Sequence, residues 1–214
     1  MSAPVDGSTL PKDDAADVSA RERILSAAFT LFQESGYEGT AMTRIARDAG
    51  MTPAAIYWHF PSKQDLLAGM LKRMYERSYA ELRASVRSDG TATQRLSDYV
   101  RAYIRIQLEE LGDRRNHSYA TLASSLTEDG QRELGRLSRP YIELLREILR
   151  QGSDRGEFDV EDVSTTSYAI ETMCEYVFTW FRTGGRLTVD EVGEKHLELV
   201  LRMLCASPPD PEHS

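Results

Sequence analysis

The sequence is poor in the residues that covalent and metal chemistry require. It has only two cysteines, Cys174 and Cys205, and four scattered histidines among 214 residues. Two cysteines are too few for a disulfide framework and fit a reducing compartment. The sequence also lacks a phosphate-binding loop, a nucleophile elbow and a metal-protease helix motif. These absences argue against an enzyme, and we expect no catalytic residue, no metal and no cofactor.

Long apolar runs are absent as well. The most apolar stretches, such as residues 176–181, are bracketed by charge, which excludes a membrane span. The first twenty residues are acidic and carry no apolar stretch, so they do not form a secretory signal and the expected location is the cytoplasm. Residues 1–18 and 207–214 contain almost no large apolar groups, which predicts a disordered tail at each end.

Between the tails, almost every segment has helical periodicity and no segment alternates like a strand. The pattern predicts an all-α fold of about nine helices. A capping box of Ser19 and Glu22 opens the first helix, which Gly36 ends. The remaining predicted helices are 42–49, a short one starting at Thr52-Pro53 and stopped by Pro61, a long one capped by Ser62, and then 92–111, 116–126, 131–152, 160–183 and 188–205.

The chain is acidic overall but contains a segment with a net positive charge. The net charge is −8, yet residues 39–64 carry +2, from Arg44, Arg47 and Lys63 against Asp48. Binding to nucleic acid depends on where charge lies more than on its sum. The basic segment coincides with a helix-turn-helix pattern at about residues 42–61, in which the second helix is presented outward.

The second helix of this pattern exposes aromatic side chains. Ile56 and Phe60 are four residues apart and can face the core, which leaves Tyr57, Trp58 and His59 largely unburied. An exposed tryptophan beside an exposed tyrosine is costly unless a partner covers them, and DNA is one such partner. The alternative is that Tyr57 and Trp58 pack on the first and fourth helices.

Residues 21–71 resemble the DNA-binding domain of the TetR/AcrR family of bacterial transcriptional regulators. The resemblance is carried by the segment IYWHF at 56–60, by Lys63, Leu66 and Leu67 after it, and by Ile45-Ala46 and Ala49-Gly50 before it. It implies a helix-turn-helix DNA-binding domain at 19–79 and a C-terminal ligand-binding and dimerisation domain at 80–206. It also implies a repressor that binds a palindromic double-stranded operator as a homodimer and is released by a small apolar or amphipathic effector.

The resemblance also indicates which residues contact DNA. Tyr57, His59 and Lys63 correspond to phosphate-contacting positions, and Trp58 to a position that contacts a base or a sugar. The full predicted set is Thr43, Arg44, Thr52, Pro53, Ala54, Ala55, Tyr57, Trp58, His59 and Lys63. Pro53, Ala54 and Ala55 stand where some relatives carry Gln, Arg or Lys, so hydrogen-bonded readout from this helix should be poor. Arg44 either contacts DNA or is solvated.

The C-terminal half carries two predicted functions. Aromatic residues with polar tips can line a ligand pocket, for which the candidates are Tyr99, Tyr103, Tyr119, Leu122, Tyr141, Met173, Tyr176 and Phe178. Apolar stripes on the helices at 160–183 and 188–205 resemble a four-helix dimer interface formed by Val163, Ile170, Val177, Phe181, Val192, Leu199, Val200 and Met203. For both sets the alternative is that the residues simply form the core of their own domain.

Two weaker hypotheses and one rival class remain. Cys174 is either a redox sensor or a buried small side chain, and Glu171 and Glu175 nearby disfavour a thiolate. Glu109, Asp113 and His117 share a helical spacing, but Gly112 between them makes a metal site improbable. A helical adaptor that binds protein through the third helix is the rival to a DNA-binding protein.

Overall fold

A computed structural model describes residues 12–111 and 119–205 of the chain. This described part contains nine α-helices, one short 3₁₀-helix and no strand, which confirms the all-α prediction. The helices are α1 (Lys12–Ser35), α2 (Met42–Asp48), α3 (Pro53–His59), α4 (Lys63–Ser85), α5 (Ala92–Leu111), α6 (Tyr119–Ser124), α7 (Glu128–Asp154), α8 (Val163–Glu175), the 3₁₀-helix (Tyr176–Thr179) and α9 (Val189–Cys205).

Local capping signals fix most of these boundaries as predicted. The hydroxyl of Ser62 accepts a hydrogen bond from the Asp65 amide (3.1 Å) at the start of α4. Thr188 and Glu191 form a capping box at the start of α9, each side chain accepting from the backbone amide of the other. These side chains satisfy amides that the first helical turn leaves without a partner.

The start of α1 differs from the prediction. Residues 12–18, predicted as part of a disordered tail, belong to α1, so the proposed capping box at Ser19 is wrong. Ser19 instead accepts a hydrogen bond from Arg23 within the helix, and Glu22 pairs with Arg73 of α4. The acidic residues in the sequence of the first turn favour a helix start there, because they complement the positive end of the helix dipole.

The helix predicted at 160–183 is interrupted. Helix α8 ends at Glu175, and Tyr176–Thr179 continues as a 3₁₀-helix. The run of aromatic and β-branched residues here has low helix propensity. In addition, the hydroxyl of Thr179 donates to the carbonyl of Tyr176 (2.7 Å), which tightens the turn locally.

Helix α4 passes through two hydrophobic cores. Leu66 and Leu67 lie in a core formed mainly by α1 to α4, whereas Leu82 lies in the core of the C-terminal helices. The partly buried side chain of Tyr75 packs against both. The domain boundary predicted between residues 79 and 80 therefore falls inside one continuous helix.

Candidate nucleic-acid interface

A tight turn positions α3 relative to α2. After α2, the amide of Gly50 donates to the carbonyl of Arg47 (3.0 Å) and the amide of Met51 donates to the carbonyl of Ala46 (2.8 Å). These two bonds form a Schellman motif, which requires a left-handed residue, and Gly50 supplies it with φ of 69°. Thr52 then caps α3 by accepting a hydrogen bond from the amide of Ala55 (3.2 Å). The sequence thus dictates a helix-turn-helix at the predicted place.

Helix α3 is anchored by Ile56 and by Phe60 at its C-cap, and it exposes the aromatic pair Tyr57 and Trp58. Ile56 and Phe60 are fully buried, and Gly69 of α4 makes room for the ring of Phe60, because a Cβ there would lie 3.0 Å from its Cε1. Tyr57 is 48% exposed and Trp58 is 74% exposed. The alternative that Trp58 packs on neighbouring helices is therefore wrong.

The small residues at the start of α3 leave its N-terminal turn open. Thr52, Pro53 and Ala54 are exposed and Ala55 is half-buried. Thr43 of α2 is exposed as well. This surface has little side-chain bulk, so a groove wall could approach the backbone closely.

The side chain of Arg44 contacts the C-terminal end of α1. Its Nη1 donates to the hydroxyl of Ser35 (3.1 Å), and its Nη2 lies 3.7 Å from a carboxylate oxygen of Glu34. The pair is half exposed, and exposed ion pairs are weak, so the side chain can be redirected at small cost.

His59 does not lie on the exposed surface. Its side chain is only 8% exposed, and Nδ1 lies 3.1 Å from a carboxylate oxygen of Asp17. The Trp58 ring packs edge-on against the His59 imidazole at 4.8 Å. The predicted phosphate contact of His59 is therefore not supported, because the early start of α1 places Asp17 against this ring. Sequence spacing could not show this contact between residues 42 positions apart.

Lys63 is held over an aromatic ring at the start of α4. Its Nζ lies 4.2 Å from the centre of the Tyr37 ring and 3.5 Å from the carbonyl oxygen of Glu38. Lys63 as a whole is half-buried, and its long flexible stem allows the ammonium group to reach a phosphate at the α3–α4 corner.

Arg47 is a candidate that the sequence argument noted only for its charge. It lies four residues after Thr43 on α2, so both project from the same face, and both are exposed. Within the part of the chain that the structure describes, its guanidinium has no ion pair or hydrogen bond. An unpaired arginine on the same helix as Thr43 is suited to a phosphate.

The structure divides the predicted dimer residues into two groups. Ile170, Val177, Phe181, Val192 and Val200 are buried in the C-terminal core of a single chain, so the interface prediction is wrong for these five. Val163 is partly buried against the same core. Leu199 and Met203 remain exposed at 53% and 43%. Periodicity shows that a stripe is covered, but it does not show which surface covers it.

Further exposed apolar side chains lie on α8, on the 3₁₀-helix and just after it. Trp180 is half exposed and stacks on the His196 imidazole of α9, with ring centres 5.8 Å apart. Tyr168 and Tyr176 are also about half exposed. We call Tyr168, Tyr176, Trp180, Leu199 and Met203 the C-terminal apolar face.

The structure places the predicted pocket residues in different parts of the fold. Tyr99, Tyr103 and Tyr141 are buried together in the C-terminal core, and Met173 and Phe178 pack partly buried against it. Tyr176 lies instead on the C-terminal apolar face. Leu122 belongs to the N-terminal core, so its assignment to the pocket is wrong. The side chain of Tyr119 lies outside the described residues.

Cys174 is a buried structural side chain. It is fully buried, and burial together with the nearby Glu171 carboxyl raises the pKa of its thiol to about 12. A reactive cysteine needs a lowered pKa and access to solvent, so the redox hypothesis is not supported. The other cysteine, Cys205, is exposed at the end of α9.

Comparison with known proteins identifies both halves of the chain. Residues 24–70 match the family described as "Bacterial regulatory proteins, tetR family", and residues 89–204 match the "Tetracyclin repressor-like, C-terminal domain". The HTH-type transcriptional repressor KstR2 of Rhodococcus jostii is 29% identical over 205 residues, which are 92% of this chain and 97% of KstR2. None of the described helices is long and apolar enough to cross a membrane.

Two solved structures share the fold over nearly their full length. A regulatory protein of the tetR family from Rhodococcus RHA1 superimposes with a TM-score of 0.76 and 25% identity, covering 88% of this chain and 98% of that protein. AibR in complex with isovaleryl coenzyme A and operator DNA superimposes with a TM-score of 0.69 and 23% identity, covering 86% and 97%.

Proposed function

The chain belongs to the TetR family of bacterial regulatory proteins, which are DNA-binding transcriptional regulators and not enzymes, and we propose how this member binds DNA and responds to an effector. It represses transcription by binding a palindromic operator as a homodimer. The observation that carries the proposal is the indole of Trp58, three quarters exposed on a seven-residue helix whose core contacts are made by Ile56 and Phe60. Residues 19–79 form the DNA-binding part and residues 80–206 the ligand-binding and dimerisation part.

In this proposal α3 enters the major groove with its small N-terminal residues first. Pro53, Ala54 and Ala55 allow close approach and contact thymine methyl groups, while the hydroxyls of Thr43 and Thr52 are available for hydrogen bonds. Arg44, Arg47, Tyr57 and Lys63 contact phosphates, and Trp58 contacts a base or sugar. His59 acts indirectly, by holding α3 against Asp17 of α1.

The C-terminal apolar face is the proposed dimer interface. A recognition helix of seven residues buries little surface, so a useful affinity needs two copies on a two-fold symmetric site. The exposed tyrosines, Trp180, Leu199 and Met203 supply an apolar patch of the kind that marks a protein interface.

A direct connection links the effector-binding half to α4. Gln64, in the first turn of α4, donates through Nε2 to the hydroxyl of Tyr37 (2.9 Å) and to the carbonyl of Ser125 (2.8 Å), and its Oε1 accepts from the amide of Thr127 (3.2 Å). Leu122 of α6, Leu126 of the segment that follows it and Leu134 of α7 pack into the N-terminal core.

An effector bound between the C-terminal helices can therefore change the pose of α4 and the spacing of the two α3 helices. It releases DNA only if it binds the released pose more tightly than the DNA-bound pose, because a ligand shifts a conformational equilibrium only by its difference in affinity for the two states.

Selection of bound fragments from random duplex DNA tests the proposal. We expect a palindromic site, and affinity for it should fall steeply with salt because phosphate contacts release counterions. Arg47→Ala removes one phosphate contact from each of the two copies, so it should reduce the slope of log affinity against log salt by about 1.8. Arg136→Ala, a control at an exposed ion pair on α7, should leave the slope unchanged. Weak salt dependence, together with no enriched duplex, would favour the rival protein adaptor.

A further inference from the structure

Helix α8 carries two carboxylates that are partly withdrawn from solvent. Glu171 and Glu175 are four residues apart, so they lie on one face of the helix, and both are half-buried. Among the described residues, neither carboxylate makes a hydrogen bond or an ion pair. Placing charge out of water is costly unless something compensates it, so this pair calls for an explanation.

Five tyrosines contributed by three helices lie together in the same domain. The centre of the Tyr141 ring lies 5.8 Å from Tyr75, 5.3 Å from Tyr79 and 5.9 Å from Tyr103, and the rings of Tyr99 and Tyr103 are 5.7 Å apart. We call Tyr75, Tyr79, Tyr99, Tyr103 and Tyr141 the tyrosine cluster. Glu171 acts electrostatically on Tyr75, Tyr99 and Tyr103, which places the carboxyl beside the cluster.

Two hydroxyls of the cluster, those of Tyr79 and Tyr103, make no hydrogen bond among the described residues. The Tyr99 hydroxyl is directed to the carbonyl of Tyr141 (3.4 Å), and the Tyr141 hydroxyl donates to the carbonyl of Tyr75 (2.9 Å). Tyr103 is 6% exposed, and within the described ranges its hydroxyl makes no hydrogen bond, although it lies in electrostatic reach of both glutamates. A hydroxyl without a protein partner is available to a ligand or to water.

The protein's own nearby cation is already engaged. Arg146 of α7 interacts electrostatically with Glu171, but its Nη1 donates to Glu143 (2.7 Å) and its Nη2 to the hydroxyl of Ser164 (3.1 Å). Its guanidinium also lies over the ring of Tyr168 at 5.1 Å. Arg146 therefore holds α7 to α8, and although it lowers the pKa of Glu171, it forms no ion pair with either carboxylate.

We propose that the tyrosine cluster, Glu171 and Glu175 form the effector site and that the effector is an organic cation, a protonated amine or a quaternary ammonium group. Aromatic faces attract a cation through the ring quadrupole, and two carboxylates supply the counter-charge. The Tyr103 hydroxyl offers one hydrogen-bonding handle. This inference rests on the proposed function, because it names the chemical class of its effector.

The titration behaviour of the carboxylates agrees with this assignment. Burial, with a contribution from Glu175, raises the pKa of Glu171 to about 7, and burial also raises the pKa of Glu175. Without a cation the site therefore takes up protons near neutral pH. A bound cation would displace them and hold both groups ionised.

Calorimetric titration of the full-length protein at pH 8 tests the proposal with a matched pair of probes. Choline carries a quaternary ammonium group, and 3,3-dimethylbutan-1-ol has the same shape with carbon in place of nitrogen. We expect choline to bind roughly tenfold or more tightly than the neutral alcohol. The double variant Glu171→Gln, Glu175→Gln should abolish that preference, whereas Glu198→Gln, an exposed acid on α9 that pairs with Arg202, should keep it.

The outcomes separate this inference from the proposed function. If choline does not bind, or binds no better than the alcohol, the cationic site is refuted and protons alone satisfy the carboxylates. If isovaleryl coenzyme A releases DNA and choline does not, the cationic effector is refuted while the repressor function stands. If the protein binds no duplex but retains the choline preference, the cation site stands and the repressor function fails. Circular dichroism of the variants checks that they are folded.

Discussion

Gly152 is a position where the addition of a single methyl group should destabilise the protein. It lies near the end of α7, the helix that carries Tyr141 and Arg146. A Cβ on this residue would lie 2.0 Å from Cδ2 and 2.3 Å from Cε2 of Phe158, well inside the 3.0 Å that real Cβ atoms keep. Phe158 is 6% exposed in the C-terminal core, so Gly152→Ala must either displace this ring or move the backbone.

The size of the effect follows from two opposing contributions. Overpacking or loss of the buried phenyl ring costs about 2–3 kcal/mol. Alanine favours the helix over glycine by about 1 kcal/mol. The free energy of unfolding should therefore fall by about 1–2 kcal/mol, and for a chain of this length the Tm should fall by about 2–8 °C.

The same helix offers a matched control. Gly135 is exposed in α7, and nothing lies within 4 Å of a Cβ placed there. Gly135→Ala makes the same chemical change without the clash, so it should stabilise the protein by about 0.5–1 kcal/mol. Urea denaturation and calorimetry measure both variants. The packing argument is wrong if Gly152→Ala proves as stable as Gly135→Ala.

A second pair of variants locates the clash. Phe158→Ala alone should cost about 3–5 kcal/mol through the lost ring and the cavity it leaves. In that background Gly152→Ala has no ring to meet, so adding it should restore stability slightly. A further loss equal to that of Gly152→Ala in the native protein would show that the clash involves other atoms.

Three further predictions concern coupling, pH and assembly. Gln64→Ala removes two hydrogen bonds to the loop before α7, worth about 1–2 kcal/mol together, so amide exchange in the peptide covering 122–137 should accelerate while exchange in α9 stays unchanged. The pKa of Glu171 is raised to about 7, so the native state binds more protons than the unfolded state between pH 4.5 and 7. The free energy of unfolding should therefore fall as the pH rises through that window, by about 1–2 kcal/mol after allowance for partial exposure. Glu171→Gln should flatten the decline in urea titrations, and an unaltered profile would assign it to other groups. The double variant Leu199→Glu, Met203→Glu should be monomeric by light scattering, whereas Val18→Glu, at an exposed apolar position on α1, should remain dimeric. If the double variant is still a dimer, the interface lies on another surface.

Signals that act within a few residues predicted the structure well. Thr52, Ser62 and Thr188 cap the helices that the sequence assigned to them, and Gly50 makes the turn between α2 and α3. Each depends on backbone geometry and one nearby side chain, which the sequence contains. The exposure of Trp58 was predicted in the same way, because two core residues four apart determine the orientation of a short helix.

Contacts between distant segments were not predictable from spacing. His59 is covered by Asp17, and Leu122 lies in the core of the other half. Helical periodicity indicates that Val192 and Val200 are covered on one side, but a chain's own core and a second chain present the same apolar surface. Only the packing of all helices decides between them.

The length of α4 constrains how such a regulator can evolve. Its 23 residues span about 35 Å, with the Ser62 cap and Gln64 at one end and Tyr75 and Tyr79 in its second half. Because α4 contributes to both the DNA-binding half and the tyrosine cluster, a change in its position at one of them also changes its position at the other. Substitutions that adapt the interior to a new inducer should therefore also alter operator affinity in the absence of any inducer, and compensating changes should arise far from both sites.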